Sequence, residues 1–335
     1  MEEAKQLVID LVTWNSYQYL PGLCASFEDQ DWKDFSVTIV DNASNDGTVR
    51  WVGDTFPGIL VLRNFRNQGF ARAHNQAITL ALSRWQENEW PHRYILVASP
   101  GLEFAPDCLR LLVEAMERDP ELDTCGPKLL RAIARSGTLD QAWETERTNI
   151  IDSTGLVMKK TRRPVERGSG EEDKGQYDEK IEVFGFSGNC ALYRASSLAS
   201  AKLGAEFFDE GFEEDLSDVD LAWRMRRLGM SACLVPAAKA WNHRNYASKT
   251  KQMKFFQARN RVWLVWKNDE LRNRLLHLPW ILTAELGSCL AALVSPATLR
   301  GKFAALSGIG KMLAKRGELR KKAKVSGAGM RKWFA

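Results

Sequence analysis

FSVTIVDNASNDGT, residues Phe35–Thr48, is the stretch whose reading decides the fold. Phe35–Val40 is a short apolar run rich in β-branched residues, the pattern of a buried strand. It ends at an acid, Asp41, and then in a turn built of Asn, Ser, Asp and Gly. Such side chains bond their own backbone and tolerate unusual dihedrals, so the chain must reverse there. Working outward, Leu7–Thr13 (LVIDLVT) reads as an earlier buried strand, closed by a turn at Asn15-Ser16 and followed by a helix-like Tyr19–Glu28. Downstream, Ile59–Arg63 reads as a third strand, Asn64–Gly69 as a polar turn and Phe70–Ala81 as a helix. Tyr94–Ala98 (YILVA) is a fourth strand, ending at Ser99-Pro100-Gly101. Strands alternating with helices at this spacing predict an α/β domain with a mixed, mostly parallel central sheet flanked by helices. Ligands of such sheets sit beyond the carboxyl ends of the strands, where these polar turns converge. No GxGxxG follows the first strand and no GxxxxGK[ST] occurs, which argues against a dinucleotide fold or a P-loop enzyme. Asp41 can accept from a pyrimidine N3–H or a ribose hydroxyl. A plain Asx-turn accounts for the residues after it.

The 335 residues suffice for one large domain with an appendage, and the apolar and charged fractions are those of a globular chain. The six cysteines are scattered without a CxxC, which points away from zinc or a disulfide framework and toward a reducing, cytoplasmic setting. MEEAKQLVID enters a strand directly, with no visible signal peptide. The net charge of +5 is unevenly distributed: ten basic residues and one acid after residue 300, a net +9, leave residues 1–300 at −4. The positive charge therefore belongs to the C-terminal end, and nucleic acid is not the expected partner of the body.

Phe207–Leu228 (FFDEGFEEDLSDVDLAWRMRRL) combines an acidic loop with an amphipathic helix pattern. Ser217 can cap the helix, Asp218 and Asp220 fall in its first turn, and Leu221, Trp223, Met225 and Leu228 are its expected core contacts. First-turn acids complement a helix dipole, and a pocket-rim acid is also the residue type a general base requires. Taken alone, the stretch leaves both readings open.

Set in order, TWNS (13–16), IVDNASNDGT (39–48), NQGFARAHNQAI (67–78), YILVASPG (94–101) with APD (105–107), and DVDLAWRMRRLG (218–229) resemble the family 2 glycosyltransferases over roughly residues 5–245. IDSTG (151–155), RRPVERGSGEEDKGQYD (162–178) and VFGFSGNCALYR (183–194) resemble the branch containing bacterial rhamnosyltransferases. The resemblance implies a GT-A fold and a nucleotide-diphosphate sugar donor, with Thr13, Asn15, Asp41, Arg72, Asn75, Ser99 and Gly101 around the nucleotide sugar. It implies Asp218 as the catalytic base, Asp220 being its first substitute. The family's Glu-Asp pair is half kept, since Ser217 precedes Asp218. Its metal-binding Asp after the fourth strand is replaced by Gly101, which puts the divalent cation, Mg²⁺ or Mn²⁺, in question. Glu103, two residues on, and His243 are the remaining ligand candidates, and His243 reads equally as a structural histidine.

Residues 159–180 have no apolar periodicity and three glycines. They read as a solvated loop or as a lid in which Arg163 or Arg167 meets the donor diphosphate. Phe184–Tyr193 reads as a strand entered through a Gly-rich turn, where Gly185, Gly188 and Asn189 either let backbone approach a sugar closely or serve a bulge. From 246 on, helix candidates rich in Phe and Trp (Met253–Val265) give way to apolar runs over Leu275–Leu299, broken by Pro279, Glu285 and Pro296, too interrupted for a spanning helix. The expected division is a transferase domain over 1–245, an amphipathic helical region over 246–300 and a basic tail over 301–335. The last two would meet either the inner face of a membrane, where basic residues add affinity for anionic lipid, or a partner subunit. The whole implies an inverting hexosyltransferase, moving rhamnose from dTDP-rhamnose to a hydroxyl of a cell-surface glycan or lipid-linked acceptor. The alternative is a non-catalytic nucleotide-sugar or glycan-binding subunit that has lost its metal carboxylate.

Overall fold

The computed structural model describes residues 4–134, 145–243 and 250–335. Its N-terminal half is the expected alternation. Strand β1 (Leu7–Thr13) leads through a short 3-10 turn to α1 (Leu20–Glu28), then β2 (Phe35–Asp41), α2 (Thr48–Thr55), β3 (Leu60–Arg63), α3 (Phe70–Ser83) and β4 (Tyr94–Ala98). Next come β5 (Leu102–Phe104), α4 (Cys108–Arg118), β6 (Thr124–Ala134), β7 (Thr145–Ser153), β8 (Leu156–Met158) and β9 (Pro164–Glu166). The domain closes with β10 (Cys190–Arg194), α5 (Ala195–Ser200), α6 (Ser217–Arg227) and β11 (Ala232–Asn242).

Nine strands form one mixed sheet in the order β3-β2-β1-β4-β10-β6-β11-β5, with β7 beside β6. β1 pairs in parallel with both β2 and β4, so the carboxyl ends of all three strands open on one edge. β10 is antiparallel to β4 and to β6, which leaves β6 and β11 running with the first four strands. β1 is apolar on both faces because both are covered. Leu7, Ile9 and Leu11 join one core with α1 and α4, whereas Val8 joins another with α3 and α6.

Three local expectations change. Phe184–Tyr193 is strand only from Cys190, and the six residues before it form an irregular turn. Ser217 does not cap α6. Leu216 occupies the N-cap in the left-handed region (φ 66°), its carbonyl accepts from Asp220 N at 2.9 Å, and Ser217 is the first helical residue. Nor is the segment 159–180 an unpacked loop: β9 pairs with β8, Arg162 is fully buried against Asp269 at 2.8 Å, and Lys128 holds both Asp173 and Asp178. Charge pairing replaces the apolar periodicity that the segment lacks.

The C-terminal region is four helices: α7 (Lys251–Asn268), α8 (Leu271–Leu276), α9 (Leu278–Leu293) and α10 (Pro296–Lys322). The boundary expected at 245/246 lies outside the described residues, and the one at 300/301 falls inside α10. α10 lies along α7 at close range, with Gly301 against the Phe255 carbonyl and Gly308 against the Trp263 ring. Trp263 Nε1 donates to the Ala305 carbonyl at 2.9 Å. After α10 the chain returns to the domain: Lys324 N bonds Arg227 O, Ala335 N bonds Met158 O, and the Arg162 guanidinium lies 3.8 Å from the centre of the Phe334 ring. The expected basic tail is thus largely a packed helix and a returning segment, with Lys315 paired to Glu206 and Asp209. Among the described residues no helix is long and apolar enough to cross a membrane.

Candidate active site

At the carboxyl ends of β1 and β4 lies a cavity of about 300 Å³. Its walls come from Val12 in β1 and Trp14 just after it, Asn42 after β2, Asn67 before α3, Phe70 and His74 of α3, and Ala98, Ser99 and Pro100 at the end of β4. Gly188, Asn189, Glu214 and Asp218 close it. Asp218 is therefore at the wall of the cavity, in the first turn of α6. Gly188 N donates to its Oδ2 at 2.7 Å and Val219 N to its Oδ1 at 2.8 Å. Burial pushes the Asp218 carboxyl above the ordinary aspartate range, against the opposing pull of these N–H groups and of His74. A carboxylate that is desolvated, bonded along one edge and open to a cavity is suited to accepting a proton. Glu214, at the mouth, is also raised, by desolvation and by its neighbour Glu213.

Asp220, the other first-turn acid, is spent elsewhere. It is fully buried, bonded to Arg224 Nε at 2.9 Å, Lys267 Nζ at 2.7 Å and Asn268 Nδ2 at 2.8 Å, and does not line the cavity. As bonded here it is not presented to the cavity. Asp209 accepts from the same Lys267 at 2.6 Å, so one buried ammonium ties α6 to the loop before it and to α7.

Of the expected nucleotide-sugar residues, only Ser99 lines the cavity. Thr13 and Asp41 are buried at the ends of β1 and β2, where Thr13 Oγ1 donates to Asp41 Oδ1 at 2.9 Å and Ser44 N to Oδ2 at 2.9 Å. Asn15 ties the two turns together, its N donating to Ser44 Oγ and its Oδ1 accepting from Asn45 N. Arg72 is half-exposed and pairs with Glu210 at 3.2 Å. Asn75 is buried with its amide clasping the Phe208 backbone, Nδ2 to O and N to Oδ1, both at 2.9 Å. Gly188 and Asn189, from the Gly-rich turn before β10, also line the cavity, whereas Trp14, Asn42, Asn67, Phe70, His74 and Glu214 were not singled out. Only His74 carries a signal of its own, a histidine on α3 facing an acid in a buried strand. His74 Nδ1 lies 2.8 Å from Asp10 Oδ2 on β1.

Gly101 is buried beside the cavity, and a Cβ there would approach the His243 carbonyl at 3.3 Å. Glu103 and His243 bond each other, Oε1 to Nε2 at 2.7 Å, and Arg147 Nε takes the other Glu103 oxygen at 3.1 Å. His243, then Arg147, hold Glu103 below the ordinary glutamate range against burial. As arranged, these residues do not form an oxygen ligand set for a hard cation, and among the described residues no group of three or more His, Cys, Asp or Glu side chains could hold one. The lid candidates do not line the cavity. Arg167 donates to Thr154 Oγ1, Thr154 O and Lys180 O, and Arg163 donates to Ala284 O.

A mixed sheet whose strand ends carry these turns, closed by an acid on α6, defines a GT-A glycosyltransferase. Residues 9–200 match the model of "Glycosyl transferase family 2", and the chain belongs to that family. It is 25% identical over 260 residues to the N-acetylglucosaminyl-diphospho-decaprenol L-rhamnosyltransferase of Mycobacterium tuberculosis, covering 72% of this chain and 77% of that one. Among solved structures it resembles the mannosyltransferase PcManGT from Pyrobaculum calidifontis, in complex with GDP-Man and Mn²⁺. The TM-score is 0.52 at 16% identity, over 99% of this chain and 88% of that one. It also resembles GalNAc-T7 with UDP, GalNAc and Mn²⁺ (TM-score 0.58, 12% identity, 80% of this chain), of which it spans about half, 48%. These two likenesses are of fold.

Proposed function

We propose that this glycosyltransferase moves a sugar, rhamnose from dTDP-rhamnose, onto a hydroxyl of a lipid-linked or cell-surface glycan acceptor, with inversion. The donor would lie beyond the ends of β1, β2 and β4. Asp218 would take the acceptor proton as the hydroxyl attacks the anomeric carbon from the face opposite the diphosphate, and a single displacement inverts that carbon. The observation that carries the reading is the Asp218 carboxylate, fixed by Gly188 N and raised by burial at the cavity wall. The sugar and the acceptor class are taken from the name of the mycobacterial relative. A general base of this kind contributes about 10²–10⁴-fold.

A divalent cation, Mg²⁺ or Mn²⁺, would find Glu103 and His243 as its nearest side-chain candidates, and both are bonded as described. Peripheral membrane association is supported by exposed leucines on α8 and α9 together with the basic residues of α10. The Gly101 position favours a second reading, a binding subunit without turnover. Release of dTDP from dTDP-rhamnose in the presence of acceptor separates the two. Release that Asp218→Asn abolishes supports the transferase, and no release from any nucleotide sugar supports the binding subunit.

A further inference from the structure

Across the α6 N-terminus from the Asp218 cavity lies a second, larger cleft of about 680 Å³. β9 and the residue before it, α7, α9 and α10 enclose it, and Arg163, Lys254 and Arg261 line it. Asp215 is the one acid among its walls. Arg261 pairs with Glu285 at 3.1 Å, and the other oxygen of Glu285 is taken by Lys302 at 2.9 Å, so that carboxylate is shared between two cations. The Arg261 Nε is buried without a hydrogen-bond partner. No carboxylate among the described residues lies within ion-pair distance of Arg163 or Lys254. Burial, and then repulsion from Arg163, pull Arg261 below the ordinary guanidinium range against Glu285. A cleft with this balance is complementary to a multiply charged anion, for which two guanidinium forks and an ammonium are apt donors.

The apolar surroundings narrow the ligand. Gly287 and Ser288 of α9 form one wall, and nothing lies within 4 Å of a Cβ built on Gly287. Beside them Leu282, Leu286 and Leu290 recur every four residues on α9, and Leu299 and Phe303 do so on α10. All five are exposed, Leu286 and Leu290 by more than 60%. Side chains four apart share one helix face, so each of the two helices that wall the cleft also presents an exposed apolar row.

The location narrows it further. Glu214 lines the Asp218 cavity, whereas Asp215 and Leu216 line the cleft. One short segment, 214–218, therefore partitions the two, and Asp218 sits at its end. A molecule anchored in the cleft can present a sugar to Asp218 without passing through the donor's place at the strand ends.

We propose that this cleft is the acceptor site: Arg163, Lys254 and Arg261 bind the diphosphate of a lipid-linked sugar, and its hydrocarbon chain lies along the apolar rows of α9 and α10. This rests on the glycosyl-transfer reading above. Farnesyl diphosphate serves as the probe, titrated into the full chain already saturated with dTDP, beside inorganic pyrophosphate and farnesol. Farnesyl diphosphate is expected to bind with dTDP in place and at least tenfold more tightly than either comparator. Arg163→Ala and Lys254→Ala are each expected to weaken it tenfold or more while dTDP affinity stays within twofold. Lys254 is exposed, so its substitution tests the site without a folding risk. Displacement of farnesyl diphosphate by dTDP, equal binding of pyrophosphate, or wild-type affinity in both variants would each overturn the assignment. The two readings fail separately. Farnesyl diphosphate bound as expected, with no transfer from any nucleotide sugar, would keep this site and remove the transferase. Transfer to a soluble acceptor with no farnesyl diphosphate binding would do the reverse.

Discussion

The backbone N–H of Gly188 donates to Asp218 Oδ2 at 2.7 Å, joining the turn before β10 to the first turn of α6 at the cavity wall. That bond fixes the carboxylate and favours its ionised form, while burial opposes ionisation and wins.

The first prediction concerns the base. Asp218→Asn keeps nearly the same shape and removes the proton acceptor, so transfer should fall about 10²–10⁴-fold with donor affinity unchanged. In the wild type the group works only when ionised. Because its carboxyl titrates above the ordinary value of 3.8, the acid limb of kcat/KM should lie above that pH. A pH–rate profile checks this, and wild-type turnover by the Asn variant would remove Asp218 from the mechanism.

Gly188→Ala tests the clamp. A Cβ at Gly188 would run into the Phe70 ring, which packs against His74 and Phe208 with centroids 4.2 and 5.3 Å away and has little room to yield. The Gly188 N–H should move off Asp218, lowering kcat by about tenfold, the effect of a lost charge-assisted bond of about 1.5 kcal/mol. Losing a bond that favours the anion should also shift the acid limb further upward. Trimming the ring as well, with Phe70→Leu, should restore part of the rate. Unchanged kinetics in Gly188→Ala would show that the clamp is dispensable.

The parallel strands and the place of Asp218 on α6 were legible because their signals are local: a buried apolar run, a strand-end turn, an acid in a helix's first turn. What escaped depends on partners far away in the chain. α6 reads as amphipathic, yet Arg224, Arg226 and Arg227 are all buried along with Trp223. Arg224 reaches the Ala201 and Phe207 carbonyls, and Arg226 reaches those of Val183, Phe184, Met230 and Ala232. Burial of an arginine is affordable only where such acceptors converge, and no periodicity encodes that convergence. Asn75 is a second case. Its position in the motif suggests a ligand contact, and its amide bonds the Phe208 backbone, 133 residues away, and Glu210, partners that no local pattern announces.

Lys267 makes the third prediction. Its buried ammonium neutralises Asp209 and Asp220 together, so Lys267→Met leaves two carboxylates short of a partner and should cost about 3–5 kcal/mol in urea denaturation. Lys267, then Lys315, hold Asp209 well below the ordinary aspartate range against burial. The stability this confers is complete above the unfolded value of 3.8 and is lost as pH falls below it toward the folded one. The variant should therefore show a shallower acid limb in its stability curve than the wild type. An unchanged midpoint would mean that Lys315, Arg224 and Asn268 suffice.

The last prediction falls on the turn after β4, beside the cavity. Gly101 offers no carboxylate, and both oxygens of Glu103 are taken, one by His243 Nε2 at 2.7 Å and one by Arg147 at 3.1 Å. For Glu103 to ligate a cation, Arg147 must release it, and Arg147 is further held at 4.7 Å from the centre of the Trp241 ring. Transfer should therefore persist in EDTA, and Mn²⁺ should bind the wild type at least about tenfold more weakly than a site with a free carboxylate, since the ligand must first break a charged pair worth about 1.4 kcal/mol or more. Arg147→Ala should reverse that balance by freeing one carboxylate oxygen, making Mn²⁺ affinity rise. Gly101→Asp adds a second carboxylate at a position where its Cβ meets the His243 carbonyl at 3.3 Å, a contact a few tenths of an ångström of adjustment relieves. The double variant should bind Mn²⁺ more tightly than either single one, as read by titration. If EDTA abolishes wild-type transfer and Mn²⁺ restores it, the Glu103–Arg147 pair opens when donor binds, and the pairing described here belongs to the donor-free enzyme alone.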